Sequence, residues 1–218
     1  MFVGKRMTRD LVTVTGDTSI LKVKNLLKEN HIDQIPVVEG KKLIGIIADR
    51  DIRDNSPSPA NTLSVHELNY LLSEMKTEAV MTKEVFTVTP GTTIEMAARV
   101  INDKHVNSLP VVIGDELVGL ITTCDLLDVL LDFMGIHNTP TRRVELRLSS
   151  NIGEIAKVAN IINDMGLRIV SILSTIDKDD SNVRPTLVRV GTYNTDELCR
   201  VLNEAGYITV INEGKVEE

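Results

Sequence analysis

The sequence predicts an α/β protein built from a duplicated unit and a smaller domain of different topology. A nine-residue stretch that begins at Met7 returns at Met81, 74 positions later, and the match continues without a gap. Each copy alternates short apolar runs with an amphipathic helical stripe. The residues after 142 follow another order of elements. A repeat of this length indicates a duplicated structural unit. The groove between two packed copies is a natural place for a ligand.

Each copy predicts the order βαββα. A short strand comes first, at residues 11–14 and again at 85–88, and turn residues follow it. An amphipathic helix is next, with Ile94, Ala97 and Ile101 on one face in the second copy. Two apolar strands then close each unit, and a second helix begins near Asp49 and near Thr123. These closing strands are predicted at 35–38, 43–47, 109–113 and 117–121.

Proline and glycine divide the chain into segments. Residues 55–61 hold two prolines and cannot be helical through their middle. A helix at 65–74 is predicted to lead into the second copy. Gly135 and Pro140 mark the next boundary. We therefore expect repeats at 1–62 and 63–135, a linker at 136–141, and a last domain at 142–218.

The last domain has its own pattern. Apolar and charged residues alternate at 144–148, which is typical of a half-buried strand. Helical stripes centred on Val158 and Val201 are each followed by a glycine, Gly166 and Gly206. Further strands are predicted at 169–176, 186–190 and 207–211. The resulting order, β-α-β-β-α-β, is that of a ferredoxin-like fold.

Composition disfavours several classes of function. The net charge is −7, and aromatic residues make up 3% with no Trp. This disfavours nucleic-acid binding, which depends on basic and stacking side chains. No apolar run approaches a membrane span, and no apolar core follows Lys5 and Arg6 as in a signal peptide. Cys124 and Cys199 lie in unrelated contexts, so no metal site is predicted. We expect a cytoplasmic protein.

The repeated unit resembles the cystathionine-β-synthase (CBS) domain, here as a tandem pair related by a pseudo-twofold axis. The resemblance rests on the Thr-Val-Thr segments, the Ile-Pro-Val-Val and Leu-Pro-Val-Val strands, and the strand-to-helix segments at 45–51 and 119–125. Residues 142–216 resemble an ACT domain, a small ligand-sensing module. The combined order is similar to the acetoin-utilisation protein B family, which implies a link to acetoin metabolism.

The strand-to-helix segments hold the candidate binding residues. Thr122 precedes Asp125 by three positions, and in the first copy Ala48 precedes Asp51. A Thr with an acid three residues on is typical of a capping box, which closes a helix start. The resemblance implies instead that the hydroxyl meets a nucleotide phosphate and the carboxylate meets the ribose. A helix start does favour an anion.

The two copies are not equivalent at this position. Ala48 lacks the hydroxyl that Thr122 has. A hydrogen bond to a charged group contributes about 1.5–3 kcal/mol. We therefore expect two unequal sites, with the site at Thr122 and Asp125 binding an adenosine nucleotide (AMP, ADP or ATP) more tightly. No obligatory cofactor is expected.

The resemblance also implies apolar walls for an adenine ring, with Thr13 and Thr87 nearby. The residues concerned also fit ordinary core strands: Ile35, Pro36, Val37, Leu109, Pro110 and Val111. His31 and His105 end helices, where a capping role is favoured over catalysis.

The candidate site of the last domain lies where its first strand meets its first helix. In ACT domains an Asn and a close-approaching Gly bind amino acids there, which implies roles for Asn151 and Gly153. Many ACT domains have Pro before that Gly, whereas this chain has Ile152. A capped turn with Asn151 starting the helix is an equal alternative. Pairing of these domains between chains is expected in either case.

The sequence leaves three kinds of function to distinguish. The leading prediction is a non-catalytic regulatory sensor that binds an adenosine nucleotide in the CBS cleft and a small metabolite or amino acid at the ACT-like domain, coupled through a homodimer or larger assembly. The alternative is a scaffold with vestigial pockets that brings an unidentified protein partner to the dimer. An enzyme is disfavoured, because the sequence shows no nucleophile with a base and no phosphate-binding loop.

Overall fold

A computed structural model describes residues 1–56, 64–136 and 140–210. The chain divides into two compact units, Met1–Leu127 and Asp128–Glu218. Both predicted repeats therefore lie almost wholly in the first unit. The central parts of both predicted linkers, at 55–61 and 136–141, lie outside the described residues, as does the end of the last predicted strand.

The elements of the duplicated region occur in the same order in both copies. After a short 3₁₀ helix, Val3–Lys5, the first copy contains α1 (Ile20–Glu29), β1 (Gln34–Glu39), β2 (Lys42–Ala48) and α2 (Asp49–Asp54). The helices α3 (Val65–Glu74) and α4 (Thr77–Val80) follow. The second copy contains α5 (Ile94–Lys104), β3 (Ser108–Ile113), β4 (Glu116–Thr122) and α6 (Thr123–Phe133). The closing strands, the amphipathic helices and α3 are confirmed.

The first strand predicted for each copy is wrong. In 11–14 only Val14 makes a bridge, to Val37, and in 85–88 only Val88 does, to Val111. The physical reason is the path of the chain. Thr8 pairs with Leu120 of the other copy before Val14 reaches β1, so this segment crosses between two strands and does not follow either one.

The two copies exchange equivalent contacts. Their strands form one sheet in the order β1-β2-β4-β3. The bridge from Thr8 to Leu120 has its counterpart in the bridge from Thr82 to Ile46. Both bonds of each bridge are present, at 2.9–3.0 Å. Contacts that recur with the copies interchanged are those of a pseudo-twofold pair.

Glycine permits the close crossing in both copies. A Cβ atom on Gly45 would lie 2.9 Å from the carbonyl oxygen of Thr82 and 2.6 Å from the sulfur of Met81. On Gly119 it would lie 3.0 Å from the carbonyl oxygen of Thr8. Only a residue without a side chain lets the incoming segment approach this closely.

The first copy has a well-defined apolar core. Side chains from α1, β1 and β2 meet Leu72 of α3 there, and most of them are fully buried. The register of each hairpin shifts at the same place, between Val37 and Val38 and between Val111 and Val112. A β-bulge at this position changes the direction of the equivalent side chains in both copies.

The second unit contains the predicted β-α-β-β-α-β order. Its elements are β5 (Arg142–Ser149), α7 (Glu154–Asp164), β6 (Ile169–Ser174), β7 (Val183–Val190), α8 (Asp196–Glu204) and β8 (Ile208–Val210). The sheet order is β6-β7-β5-β8, with every pair antiparallel. This is the ferredoxin-like arrangement. Buried residues of both helices, among them Val158 and Leu202, pack with buried residues of β5 and β7.

One local prediction for this unit is wrong. Asn151 does not start α7. The residue at that position is Gly153, with φ of 93° and no side-chain cap. A backbone in this left-handed conformation favours glycine, so the turn places Asn151 two residues too early to cap the helix.

Candidate ligand-binding site

A cavity of about 440 Å³ lies between the two copies within the first unit. The crossing segment forms one wall, since it runs from Thr8, beside Leu120 of β4, to Val14, beside Val37 of β1. The end of β4 and the start of β1 form the other walls. Its lining residues are Thr8, Asp10, Leu11, Val12, His31, Ile32, Asp33, Gln34, Pro36, Asn107, Leu120, Thr122, Thr123 and Cys124.

Thr122 and Asp125 form a complete capping box at the start of α6. The carboxylate oxygen Oδ2 of Asp125 accepts the backbone N–H of Thr122 at 2.7 Å and its hydroxyl at 2.8 Å. The N–H of Asp125 donates to the Thr122 hydroxyl at 3.3 Å. Thr122 lines the cavity and Asp125 does not. The motif therefore forms a helix cap, and the same cap places Thr122 in the lining of the cavity. The capping interpretation and the ligand-binding interpretation are thus compatible.

The first copy forms only half of this arrangement. Oδ2 of Asp51 accepts the backbone N–H of Ala48 at 2.8 Å, and Ala48 has no side-chain oxygen to accept a bond in return. Helix α2 contains six residues, whereas α6 contains eleven. The helix start at Ala48 thus keeps one donor unsatisfied by its own cap.

Most of the predicted apolar walls lie in the core. The side chains of Ile35, Val37, Leu109 and Val111 are 0% exposed. They present no surface to a ligand, because the strands turn these positions towards the helices. Pro36 is buried yet lines the cavity. Its counterpart Pro110 is also buried, and its carbonyl oxygen accepts the N–H of Val88 at 3.1 Å.

The two predicted threonines lie away from the cavity. Thr13 is exposed and is not part of the lining. Thr87 is also exposed and lines a separate hollow of about 230 Å³ with Lys83 and Val85. The structure does not bring either residue to Thr122.

Both helix-ending histidines have a left-handed backbone, with φ of 53°. His105 is the C-cap residue of α5. This conformation is uncommon for a residue with a side chain. In the first copy it directs the chain from α1 into the cavity wall, where His31, Ile32 and Asp33 follow one another.

Sequence reasoning missed most of the polar lining. No sequence motif singles out Asp10, Asp33 or Asn107, and the pattern indicates His31 only as a helix cap. The available signal was the antiparallel pairing of the two closing strands in each copy. It sets Gln34 opposite Ala48 and Ser108 opposite Thr122. Residues just before the proline-containing strands therefore lie at the same edge as the strand-to-helix segments.

A second cavity, of about 470 Å³, lies in the second unit beside residues 148–156. Ser149, Asn151, Ile152 and Gly153 line it, and Ile152 is fully exposed. Arg184 also lines it, and the buried Nε of Arg184 has no hydrogen-bond partner among the described residues. This arginine was not a sequence candidate.

Glu154 is part of the same lining and is already paired. The ammonium group of Lys157 donates to it at 2.8 Å and lowers the pKa of this carboxyl below its usual value. The Tyr207 hydroxyl also donates to it, at 3.3 Å. The predicted residues thus share a cavity with a guanidinium nitrogen of Arg184 that has no hydrogen-bond partner among the described residues. They share it also with the carboxylate of Glu154, which is paired with Lys157.

Within residues 1–56, 64–136 and 140–210 there is neither a metal-binding cluster nor a membrane-spanning helix. Among those residues, no group of three or more His, Cys, Asp or Glu side chains could hold a metal ion. No helix in the same ranges is long and apolar enough to cross a membrane.

A pseudo-twofold pair of repeats with a cavity between the copies defines a class of ligand-binding module. The chain belongs to the CBS-domain family, whose pattern matches residues 3–58 and 77–132, just over half of its length. Of the second unit, the match covers only residues 128–132.

Several known proteins are similar to this chain. A CBS domain-containing protein of Dictyostelium discoideum is 30% identical over 133 residues, which cover 60% of this chain and 92% of the relative. A crystal structure of a protein from Vibrio cholerae, provisionally named an acetoin utilization protein (AcuB), is 27% identical with a TM-score of 0.52. It covers 62% of this chain and 94% of its own.

Two further similar proteins are one whose structure contains a ligand and one that is an enzyme. The structure of CBSX2 in complex with AMP is 28% identical with a TM-score of 0.50, and covers 60% of this chain and 96% of its own. The inosine-5'-monophosphate dehydrogenase of Korarchaeum cryptofilum is 31% identical over 141 residues, 64% of this chain. This chain spans only a quarter of that enzyme's length.

Proposed function

We propose that the protein is a non-catalytic regulatory sensor that binds an adenosine compound in the cavity at Thr122. The observation that carries the proposal is that this cavity joins the strand-to-helix end of one copy to the strand start of the other. A ligand there contacts both copies and can favour one arrangement of the pair. Such a preference is what regulation by a ligand requires.

The lining suits a nucleoside. A base would meet apolar surface on Leu11, Val12, Pro36 and Leu120, and Asn107 offers hydrogen bonds. The Thr122 hydroxyl already donates to Asp125, so it offers a ligand an acceptor only. A volume of about 440 Å³ is within the range of small-molecule sites. Asp125 follows the lining residues Thr123 and Cys124 but is not part of the lining itself. Only its Oδ2 is bound within the helix cap, so its other oxygen is the one proposed to reach the ribose.

The second cleft is proposed as the weaker site. By the repeat it would use Ala48, Asp51 and Pro110, and it lacks the hydroxyl. We expect Ala48→Thr to strengthen binding there by about tenfold, since a hydrogen bond to a charged group is worth about 1.5–3 kcal/mol. Two identical sites in the natural protein would contradict this.

The comparisons support the choice of ligand. The match to CBSX2 covers 60% of the present chain, and the crystal structure of CBSX2 is a complex with AMP. The proposed ligand is therefore an adenosine compound such as AMP, ADP or ATP. The similarity to AcuB supports a regulatory role linked to acetoin metabolism.

The second unit is proposed as an ACT-like module. Its sheet order matches the ferredoxin-like pattern, and its cavity at Asn151–Gly153 would take a small metabolite or amino acid. Ile152 is fully exposed, and an exposed isoleucine suits a contact with a second copy in a homodimer. Both ligands would then act on one assembly.

Calorimetry tests the main proposal. The full chain is titrated with adenosine, AMP, ADP, ATP, S-adenosylmethionine and NADH, and the same titrations are repeated with Asp125→Ala. The matched control is Asp17→Ala, which removes the same charge from an exposed turn outside the cavity. We expect saturable binding of at least one adenosine compound, weakened by Asp125→Ala and unchanged by Asp17→Ala.

The scaffold is the second candidate. It is favoured by Ala48, which leaves the first helix start without its hydroxyl, and by the exposed Ile152. Absence of heat with every adenosine compound, together with an intact dimer, would favour the scaffold. Turnover of any nucleotide would instead support an enzyme.

A further inference from the structure

The charged residues that line the cavity at Thr122 are acidic. Of its fourteen lining residues two are aspartates, Asp10 and Asp33, and one is His31. None of the lining residues is Lys or Arg. Neither aspartate makes a salt bridge within the described part of the chain. A phosphate placed here meets two carboxylates and no permanent cation.

The helix start adds a third carboxylate. A helix N-terminus ordinarily attracts an anion through its free N–H groups. Here Oδ2 of Asp125 already accepts the N–H and the hydroxyl of Thr122. The N–H and hydroxyl of Thr122 are therefore occupied by a residue that is itself negative.

Three basic residues, which neighbour the lining in sequence or line an adjacent groove, do not compensate. Arg9 adjoins Asp10 in sequence, but its Nη2 donates to the carbonyl oxygen of Gly4 at 2.8 Å and it is not part of the lining. Lys24 and Lys28 line a neighbouring groove, which they share with Asp33 and Asp49. Acids and lysines balance in that groove, so it offers an anion no net attraction.

Distance makes these charges effective. A sphere of about 440 Å³ is about 9 Å across. This is close to the Debye length of about 10 Å at 0.1 M salt, so the two exposed aspartates act on a ligand in the cavity with partial screening that grows with salt. Like charges at such separations oppose binding and opposite charges favour it.

We infer that this cavity selects adenosine compounds whose 5′ substituent is neutral or cationic and discriminates against 5′ phosphates. The inference rests on the proposed function, because it assumes that an adenosine compound binds there. It concerns the charge of the ligand only, and it reverses the expectation that AMP, ADP or ATP is preferred.

The test is a matched ligand series in calorimetry at 0.05 M and 0.3 M salt. The probes are 5′-amino-5′-deoxyadenosine in its protonated form, adenosine, AMP and ATP. We expect affinity to fall in that order, with AMP about fivefold or more weaker than adenosine at low salt. The gap should narrow at high salt.

The variant that tests the cause is Asp10→Asn combined with Asp33→Asn. We expect it to strengthen AMP binding and weaken binding of the amino compound, each by about fivefold, and to change adenosine binding less than about twofold. Asp17→Asn is the control, since it alters the net charge at an exposed turn. Single variants serve where the double variant fails to fold.

The outcomes are distinguishable. AMP or ATP binding more tightly than adenosine, with no response to the two aspartate substitutions, overturns the charge selection and leaves the sensor intact. Failure of every adenosine compound to bind overturns both. The expected order, reversed in part by the aspartate variant and not by the control, supports the inference.

Discussion

The two copies of the repeated unit share a backbone and differ in the chemistry at their helix starts. Both have the same hairpin bulge, the same left-handed histidine and the same glycine beneath the crossing segment. Yet Thr122 completes a capping box where Ala48 cannot. The comparison shows that the packing of the pair is symmetric while the helix caps beside its clefts are not.

The largest expected effect concerns the shared core. Ile47 and Ile121 occupy equivalent strand positions and are both 0% exposed. We expect Ile47→Ala and Ile121→Ala each to lower the free energy of unfolding by about 2–5 kcal/mol, through lost burial and a residual cavity. Denaturant titration measures both. A large loss in one copy and none in the other would break the symmetry of the core.

The next effect concerns the crossing segments. A Cβ at Gly45 or Gly119 would press on a backbone carbonyl oxygen at 2.9–3.0 Å. We expect each alanine variant to lose about 1–3 kcal/mol, as in overpacked cores. Gly91→Ala is the control, because its nearest neighbour would be 3.9 Å from the new atom. Equal stability of all three variants would show that the crossing is loose.

A smaller effect separates the two helix starts. Loss of a capping hydroxyl costs about 0.5–2 kcal/mol, so we expect Thr122→Ala to destabilise the protein by that amount. Ala48→Thr should give a gain of similar or smaller size. Thr122→Ser keeps the hydroxyl and serves as control. Should Thr122→Ala leave stability unchanged, the hydroxyl would act on the ligand alone.

The smallest effect belongs to α3, which precedes the second copy. The N–H and hydroxyl of Ser64 donate to the carboxylate of Glu67 and lower the pKa of that group. A lowered pKa stabilises the fold above the ordinary glutamate value of about 4.3, and this contribution disappears as the pH falls through the lowered value.

Glu67→Gln should therefore lower stability at neutral pH and remove part of its decline in acid. Denaturant titrations between about pH 3 and pH 7 measure this. Glu39→Gln, at an exposed strand end, is the comparison variant. If the free energy of unfolding fell equally with pH in Glu67→Gln and in the natural protein, the Glu67 carboxyl would make no pH-dependent contribution to stability.

The sequence predicts the elements better than the path between them. The predicted bounds of α3 match the structure to the residue, and the repeat locates both hairpins. The prediction of a strand fails at 11–14 and 85–88, because a segment that bridges two strands has the same composition as a short strand. Pairing across the copies, such as Thr8 with Leu120, is a long-range property that local patterns do not contain.

The candidate site was predicted only in part, for the same reason. Thr122 and Pro36 line the cavity, while Ile35 and Val37 are core residues. Alternation along a strand does not tell which apolar residue faces a ligand when both faces are covered. Asp10 and Asp33 carry no motif, and only the fold brings them together.

The most direct test of the account is a crystal structure of the full chain with adenosine. We expect the base against Leu11, Val12 and Pro36, the sugar beside Thr122, and a less occupied second cleft near Ala48. A nucleoside bound only outside this cavity, or bound equally at both helix starts, would contradict the claim that the two copies differ in binding.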